Sequence, residues 1–178
     1  MESTKQKTYK GKQEGKTDFI EYVGRVLVTE PNKFIASTNF VCDISPKASV
    51  KILQITDEFT HRFVDKVEER KEARPRFMAQ IMLSSPATDA DIFAKLGKNP
   101  EVTLASAHSL LAKQPNGEEG VLLNNYSDNV FYVRDRFSKL CIVTFRWRIN
   151  SGWVIGANDL GNSMRGINVQ VFRNLGAY

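Results

Sequence analysis

The sequence predicts a single α+β domain. In this reading a mostly antiparallel sheet carries a C-terminal β-meander at its centre. One long amphipathic helix packs on the apolar face, and two short helices cap an edge. Three observations lead there. Between Lys139 and Asn150 the alternate residues Cys141, Val143, Phe145, Trp147 and Ile149 are all apolar, while Leu140, Ile142, Thr144, Arg146 and Arg148 run from apolar to cationic. Successive strand side chains point to opposite faces, so one face is buried throughout and the other changes from buried to wet. The second observation is that Ile52, Ile55, Phe59, Phe63 and Val67 step by three, four, four and four residues, which is one face of a helix. The third is turn chemistry. Asn150-Ser151-Gly152 and Asp135-Arg136-Phe137-Ser138 punctuate residues 129–158 into three strands.

The elements follow in order. Residues 1–17 hold Lys, Glu, Gln, Gly and Thr with no apolar period, and read as a flexible or partner-ordered basic arm ahead of a domain at 18–178. Within the arm, Gly11 to Thr17 resembles the end of a phosphate-binding loop. Only three residues separate its glycines and no strand precedes it, so the motif fails. Residues 18–29 and 34–42, joined by the Glu30-Pro31-Asn32-Lys33 turn, form a candidate hairpin. Ser45-Pro46 offers the N-cap and first turn of the long helix, over about 46–72, which must end before Pro75. Residues 76–83 suit a third strand. Thr88 caps a short helix over 89–96 stopped by Gly97, and a second short helix begins near Pro100 or Thr103 and runs to about Lys113. Val121-Leu122-Leu123 is a brief strand, and Ile167 to Phe172 a last one. In the meander, a simple pairing sets Ile149 opposite Trp153 and Trp147 opposite Ile155.

Composition bounds the chemistry. At 178 residues with 42% hydrophobic and 25% charged residues, one core can form without staples. No apolar run reaches the length of a membrane helix, and the N-terminus carries no hydrophobic signal segment, so a cytoplasmic protein is expected. Cys42 and Cys141 both fall in apolar runs and read as free buried thiols. His61 and His108 have no ligand-spaced partners, so neither a metal nor another cofactor is expected.

The formal charge is +5 and lies at the two ends of the chain. Residues 1–18 hold five Lys against three acids, and residues 121–178 hold seven cations against three Asp. Such a distribution favours an anionic partner. The cationic candidates are Arg134, Arg136, Lys139, Arg146 and Arg148 on and beside the meander, with Lys10, Lys12 and Lys16 in the arm. Tyr132, Phe137, Trp147 and Trp153 lie nearby, although alternation places Trp147 in the core. Catalysis is less well supported. The chain has no nucleophile elbow, its pairs Asp89/Asp91 and Glu118/Glu119 fall at a helix start and a surface turn, and Asn158 to Asn162 is too short for a calcium loop. The Asn- and Ser-rich tail, with Asn150, Ser151, Asn158, Asn162, Ser163, Asn168 and Asn174, suits contact loops or simple turns.

The expected function is therefore a non-enzymatic binding module. A protein-interaction or assembly domain, meeting a protein partner or a second copy and no membrane, stands first. Single-stranded nucleic-acid binding through the basic and aromatic sheet face and the lysine arm is the alternative. A small hydrolase with a carboxylate site comes third.

Overall fold

The computed structural model describes residues 18–177. Its strands are β1 (Ile20–Glu30), β2 (Lys33–Ile35), β3 (Ile52–Ile55), β4 (Val67–Glu69), β5 (Arg74–Leu83), β6 (Ala87–Thr88), β7 (Asn129–Arg134), β8 (Leu140–Arg148), β9 (Gly152–Asp159), β10 (Met164–Arg165) and β11 (Gln170–Ala177). The helices are α1 (Ala36–Asn39), α2 (Asp57–Phe63), α3 (Asp89–Lys95) and α4 (Leu104–Leu111). Seven strands form one sheet in the order β1-β5-β11-β7-β8-β9-β3, and β2/β4 and β6/β10 make two-stranded ribbons. The sheet is mixed. β11 runs parallel to β7 and β3 parallel to β9, while the other neighbours are antiparallel.

β7 lies at the middle of this order, and its side chains are buried on both faces. Phe131 and Val133 join one core with Phe145, Trp153 and Phe172, which α1, α2 and α4 cover through Phe40, Phe59, Phe63, Leu110 and Leu111. Val130 and Tyr132 join a second core with Ile81, Ile142 and Val171, covered by Ile92 and Leu96 at α3 and by Ala87 of the β6/β10 ribbon. The continuous apolar run of β7 is what a strand buried on both faces requires.

The single long helix of the sequence reading is absent. Its apolar stripe belongs to three different elements. Ile52 and Ile55 lie in β3 beside β9, Phe59 and Phe63 lie one turn apart in α2, and Val67 stands half exposed in β4. Thr56 divides them, since its Oγ1 accepts the Phe59 N–H at 3.3 Å and starts α2. Ser45 and Pro46 sit in a turn closed by the Ala48 N–H on Ser45 O. The two short helices do not cap an edge either. α3 and α4 lie on opposite faces of the sheet, with Thr88 and Thr103 accepting the N–H groups of Asp91 and Ser106.

The expected hairpin over 18–42 is also corrected. β1 pairs with β5 across a bulge at Val23, and β2 pairs with β4. After β2 the chain turns into α1, because Thr38 Oγ1 and Asn39 Nδ2 both donate to Ile35 O. Residues 121–123 form no strand. Side-chain amides hold them instead: Gln114 accepts from the Leu122 N–H and donates to Leu122 O, and Asn129 does the same for Leu123.

In the β8–β9 hairpin the register is offset from the simple pairing. Trp147 faces Trp153, with ring centroids 5.3 Å apart, and Phe145 faces Ile155. Ile149 falls in the turn and is exposed, because Asn150 adopts φ +61° and the Ser151 N–H closes on Arg148 O. Gly152, at φ +143°, lets β3 approach; a Cβ there would fall 3.0 Å from Lys51 O. Cys141 is buried as expected of a core thiol, but Cys42 is exposed.

His108 of α4 packs between Phe34 and Phe40, with centroid distances of 5.4 and 5.2 Å. Desolvation pushes its pKa down to about 4, against a smaller opposing hydrogen bond with the Asn39 backbone. The unfolded chain takes up this proton near the ordinary value of about 6.5, before the folded chain does. Stability should therefore fall as pH drops from about 6.5 towards 4, by on the order of 3 kcal/mol. Urea denaturation across this range measures it, and His108→Leu should remove that part of the slope.

Candidate functional site

The cationic candidates do not form one patch. Lys139 and Arg148 bracket β8, so their backbones are about 30 Å apart at roughly 3.3 Å per residue. At the β7–β8 turn, Arg134 makes a two-pronged bond to Glu101 at 2.8 and 2.6 Å, and Lys139 reaches Asp159 at 2.7 Å. Arg136 pairs with Asp65 and lies over the exposed Phe137 ring, 4.7 Å from its centroid. At the other end Arg146 bonds Asp128 at 2.8 Å. Arg148 is exposed and has no acidic partner among the described residues. Lys10, Lys12 and Lys16 lie outside the described residues. Of the four aromatics, Tyr132, Trp147 and Trp153 are buried in the two cores, which leaves Phe137 alone at the surface.

Lys139 and Arg146 belong to two ion networks, and apart from the Glu58–Arg62 pair one helical turn apart their partners carry no local sequence signal. In the first, Arg62 of α2 meets Glu58, Asp135 at 3.3 Å and Asp159 at 2.9 Å, and donates to Cys141 Sγ at 3.1 Å. Burial works to raise the Asp135 carboxyl. The Lys139 and Phe137 backbone N–H groups, then Cys141 and Arg62, outweigh it and hold the group below the usual carboxylate range. The Lys139 ammonium, followed by Arg62, holds the Asp159 carboxyl low as well. Burial pushes the Cys141 thiol up, against the lowering effect of Arg62. A fully buried thiol shifted in that direction is a poor nucleophile.

In the second network Asp128 accepts from both Arg146 and Arg165, and Arg165 bonds the buried Asp89 at 2.7 and 3.1 Å. Asp89 is thus held at the start of α3 as the partner of Arg165. Its neighbour Asp91 accepts from the Thr88 hydroxyl, and Glu118 accepts from Asn116. No cluster of three or more His, Cys, Asp or Glu suited to a metal occurs among the described residues. No helix among them is long and apolar enough to cross a membrane.

Comparison with family models, curated proteins and solved structures found no match to this chain. The candidate sites therefore rest on geometry alone.

Three surfaces stand out. The first is the outer side of β1, which has no strand partner among the described residues and exposes Tyr22, Val23 and Leu27. The second is a cleft of about 270 Å3 beside Arg146, where Gly156 lowers the floor; a Cβ at Gly156 would fall 2.9 Å from Thr144 Oγ1. Asn158 from the polar tail also lines it. The third is a groove of about 910 Å3 at the β8–β9 turn, lined in part by Asn150 and Ser151. The Asn-rich tail pointed to those two residues, but not to Asn116, Asn124 and Asn125, which reach the same groove from earlier loops. Nothing in the sequence marks β1 as a sheet edge, because its residues fit a hairpin strand equally well.

The two ends of the second network should respond differently to truncation. Arg165→Ala leaves Asp89 buried and uncompensated, so a loss of about 3–5 kcal/mol is expected in urea denaturation. Arg146→Ala removes a half-exposed pair and should cost less than about 1 kcal/mol.

Proposed function

We propose that this chain is a protein-interaction or assembly module whose edge strand β1 receives a strand from a partner. The observation that carries the reading is β1 itself. It is 11 residues long, ends the sheet, and exposes Tyr22 at 59%, Val23 at 55% and Leu27 at 46%. Long edges are commonly blunted by charged residues, Pro, bulges, short length or a covering element. β1 contains no Lys and no Pro; it carries one bulge at Val23 and the charged residues Glu21 and Arg25, and its remaining outward positions are apolar or small.

Its C-terminal half is partly covered. Ser109 Oγ donates to Thr29 O at 3.1 Å and Lys113 Nζ to Leu27 O at 3.0 Å, both from α4 and the residues that follow it. No such donor meets the outer side of residues 20–26 among the described residues. The opposite edge differs. β3 has four residues, and Asp43 bridges Ile52 through both backbone bonds, at 3.1 and 3.0 Å. One edge is therefore closed by the chain itself, and the other keeps backbone groups and apolar side chains available for strand addition.

Val23 and Leu27 can be changed without touching either core. In Val23→Lys with Leu27→Lys, thermal stability should stay near that of the wild type, while self-association or partner capture is lost. Light scattering after size exclusion, together with affinity capture from cell extract, reads both. A wild type that stays monomeric at every concentration and captures nothing that the double variant fails to capture would overturn the reading.

A further inference from the structure

The groove at the β8–β9 turn lies four to five strands across the sheet from β1, about 20–25 Å at roughly 4.8 Å per spacing. Its apolar lining is Ile44 and Ile149, both exposed, with Leu53, Gly117 and Trp147. Carboxamides enter from three separate segments, at Asn116, at Asn124 and Asn125, and at Asn150. Lys51 is the only charged residue in the lining. A cationic ligand finds no countercharge in the lining, and an anionic one finds a single lysine.

Asn116 already donates its Nδ2 to Glu118 at 2.7 Å. The hydrogen-bonding capacity left on the other asparagines is of both kinds. Asn124 spends its Nδ2 on Gly117 O at 2.9 Å, which leaves its Oδ1 as an acceptor. Asn125 spends its Oδ1 on the Ser127 N–H at 3.3 Å, which leaves its Nδ2 as a donor. Asn150 has no side-chain partner among the described residues. A carboxamide that offers donor and acceptor together matches a peptide group. The molecule already uses that match on itself, where Gln114 and Asn129 hold both backbone groups of Leu122 and Leu123.

Two ligand chemistries fit a neutral amide-lined groove, a sugar and an extended peptide. A sugar would need an aromatic face to stack on. The Trp147 face is already taken by Gly117, where a Cβ would fall 2.0 Å from the ring. The available apolar walls are aliphatic. We infer that this groove binds an extended, uncharged peptide segment with aliphatic side chains, its main chain read by the asparagine carboxamides. The site is separate from β1 and does not depend on the strand-addition reading.

Selection of phage-displayed random linear peptides on the full chain tests the inference. Enriched sequences should be aliphatic and poor in charged residues, and should shift the backbone amide signals of residues 116–125 and 149–151. Asn125→Ala with Asn150→Gly removes two carboxamides and keeps a residue tolerant of positive φ at position 150. It should weaken binding by about tenfold or more. Ile149→Asp, at an exposed wall, should do likewise, whereas Val23→Lys with Leu27→Lys should have no effect. The inference is overturned if no peptide is enriched, or if binding survives the asparagine changes in a folded variant. It is equally overturned if chitotriose or maltotriose shifts these signals and no selected peptide does.

Discussion

The double-sided burial of β7 is the constraint on which the rest of the molecule depends. Val130, Phe131, Tyr132 and Val133 are each at most 1% exposed, and they point alternately into two cores. Full burial of such a side chain contributes roughly 1.5–3 kcal/mol. A strand that gains stability on both faces needs cover on both. On one side α1, α2 and α4 supply it. On the other the cover is thinner, from α3 and the β6/β10 ribbon. Arg165 of β10 is clamped there by the buried Asp89 at the start of α3 and by Asp128 next to β7. The ion network is therefore best understood as a tie holding that cover over the sheet.

A comparable tie closes the first face near β1. Glu30, fully buried at the end of that strand, accepts from Arg70 at 2.7 Å, Arg76 at 2.8 Å and Ser106 at 2.6 Å, and also from the Thr103 hydroxyl. Glu68 of β4 accepts the Leu104 and Ala105 N–H groups at the start of α4. Negative charge at a helix N-terminus is favourable, and here it fixes α4 against the β2/β4 ribbon. Acidic side chains buried at the seams thus recruit Arg70, Arg76 and Arg165 across long stretches of chain. Around β8 a different set of acids, Glu101, Asp65, Asp159 and Asp128, meets Arg134, Arg136, Lys139 and Arg146 and breaks up a continuous cationic face.

The two proposed contact surfaces follow from how backbone groups are satisfied elsewhere. At β3, around residues 121–123 and along the C-terminal half of β1, side chains or stray loop segments take the place of a missing strand. Buried backbone groups need such partners. Where the substitution stops, at residues 20–26 and in the asparagine-lined groove, hydrogen-bonding capacity faces outward beside exposed aliphatic side chains.

Much of the local structure was readable from the residues. The strands of 129–159, the Thr88 helix start and the burial of Trp147 follow from alternation and capping, which act within a few residues. The residues alone leave the start of α4 between Pro100 and Thr103, and the structure places it at Thr103. The failures have a common cause. Ile52, Ile55, Phe59, Phe63 and Val67 satisfy a helical period by spacing alone, yet the parallel edge of β9 draws the first two into a strand. The turn at Asn150 displaced Ile149 from its expected partner because backbone φ, not side-chain polarity, sets hairpin register. Arg134, Arg136, Lys139 and Arg146 could be named as cations from the sequence. Only the tertiary structure decided that Glu101, Asp65, Asp159 and Asp128 would meet them, because those acids arrive from distant parts of the chain. The sequence by itself determined which segments are apolar and that Thr88 starts a helix. Sheet order, the open edge at β1 and the convergence of four asparagines on one groove were decided by packing, since each depends on which distant segment fills the space beside a strand.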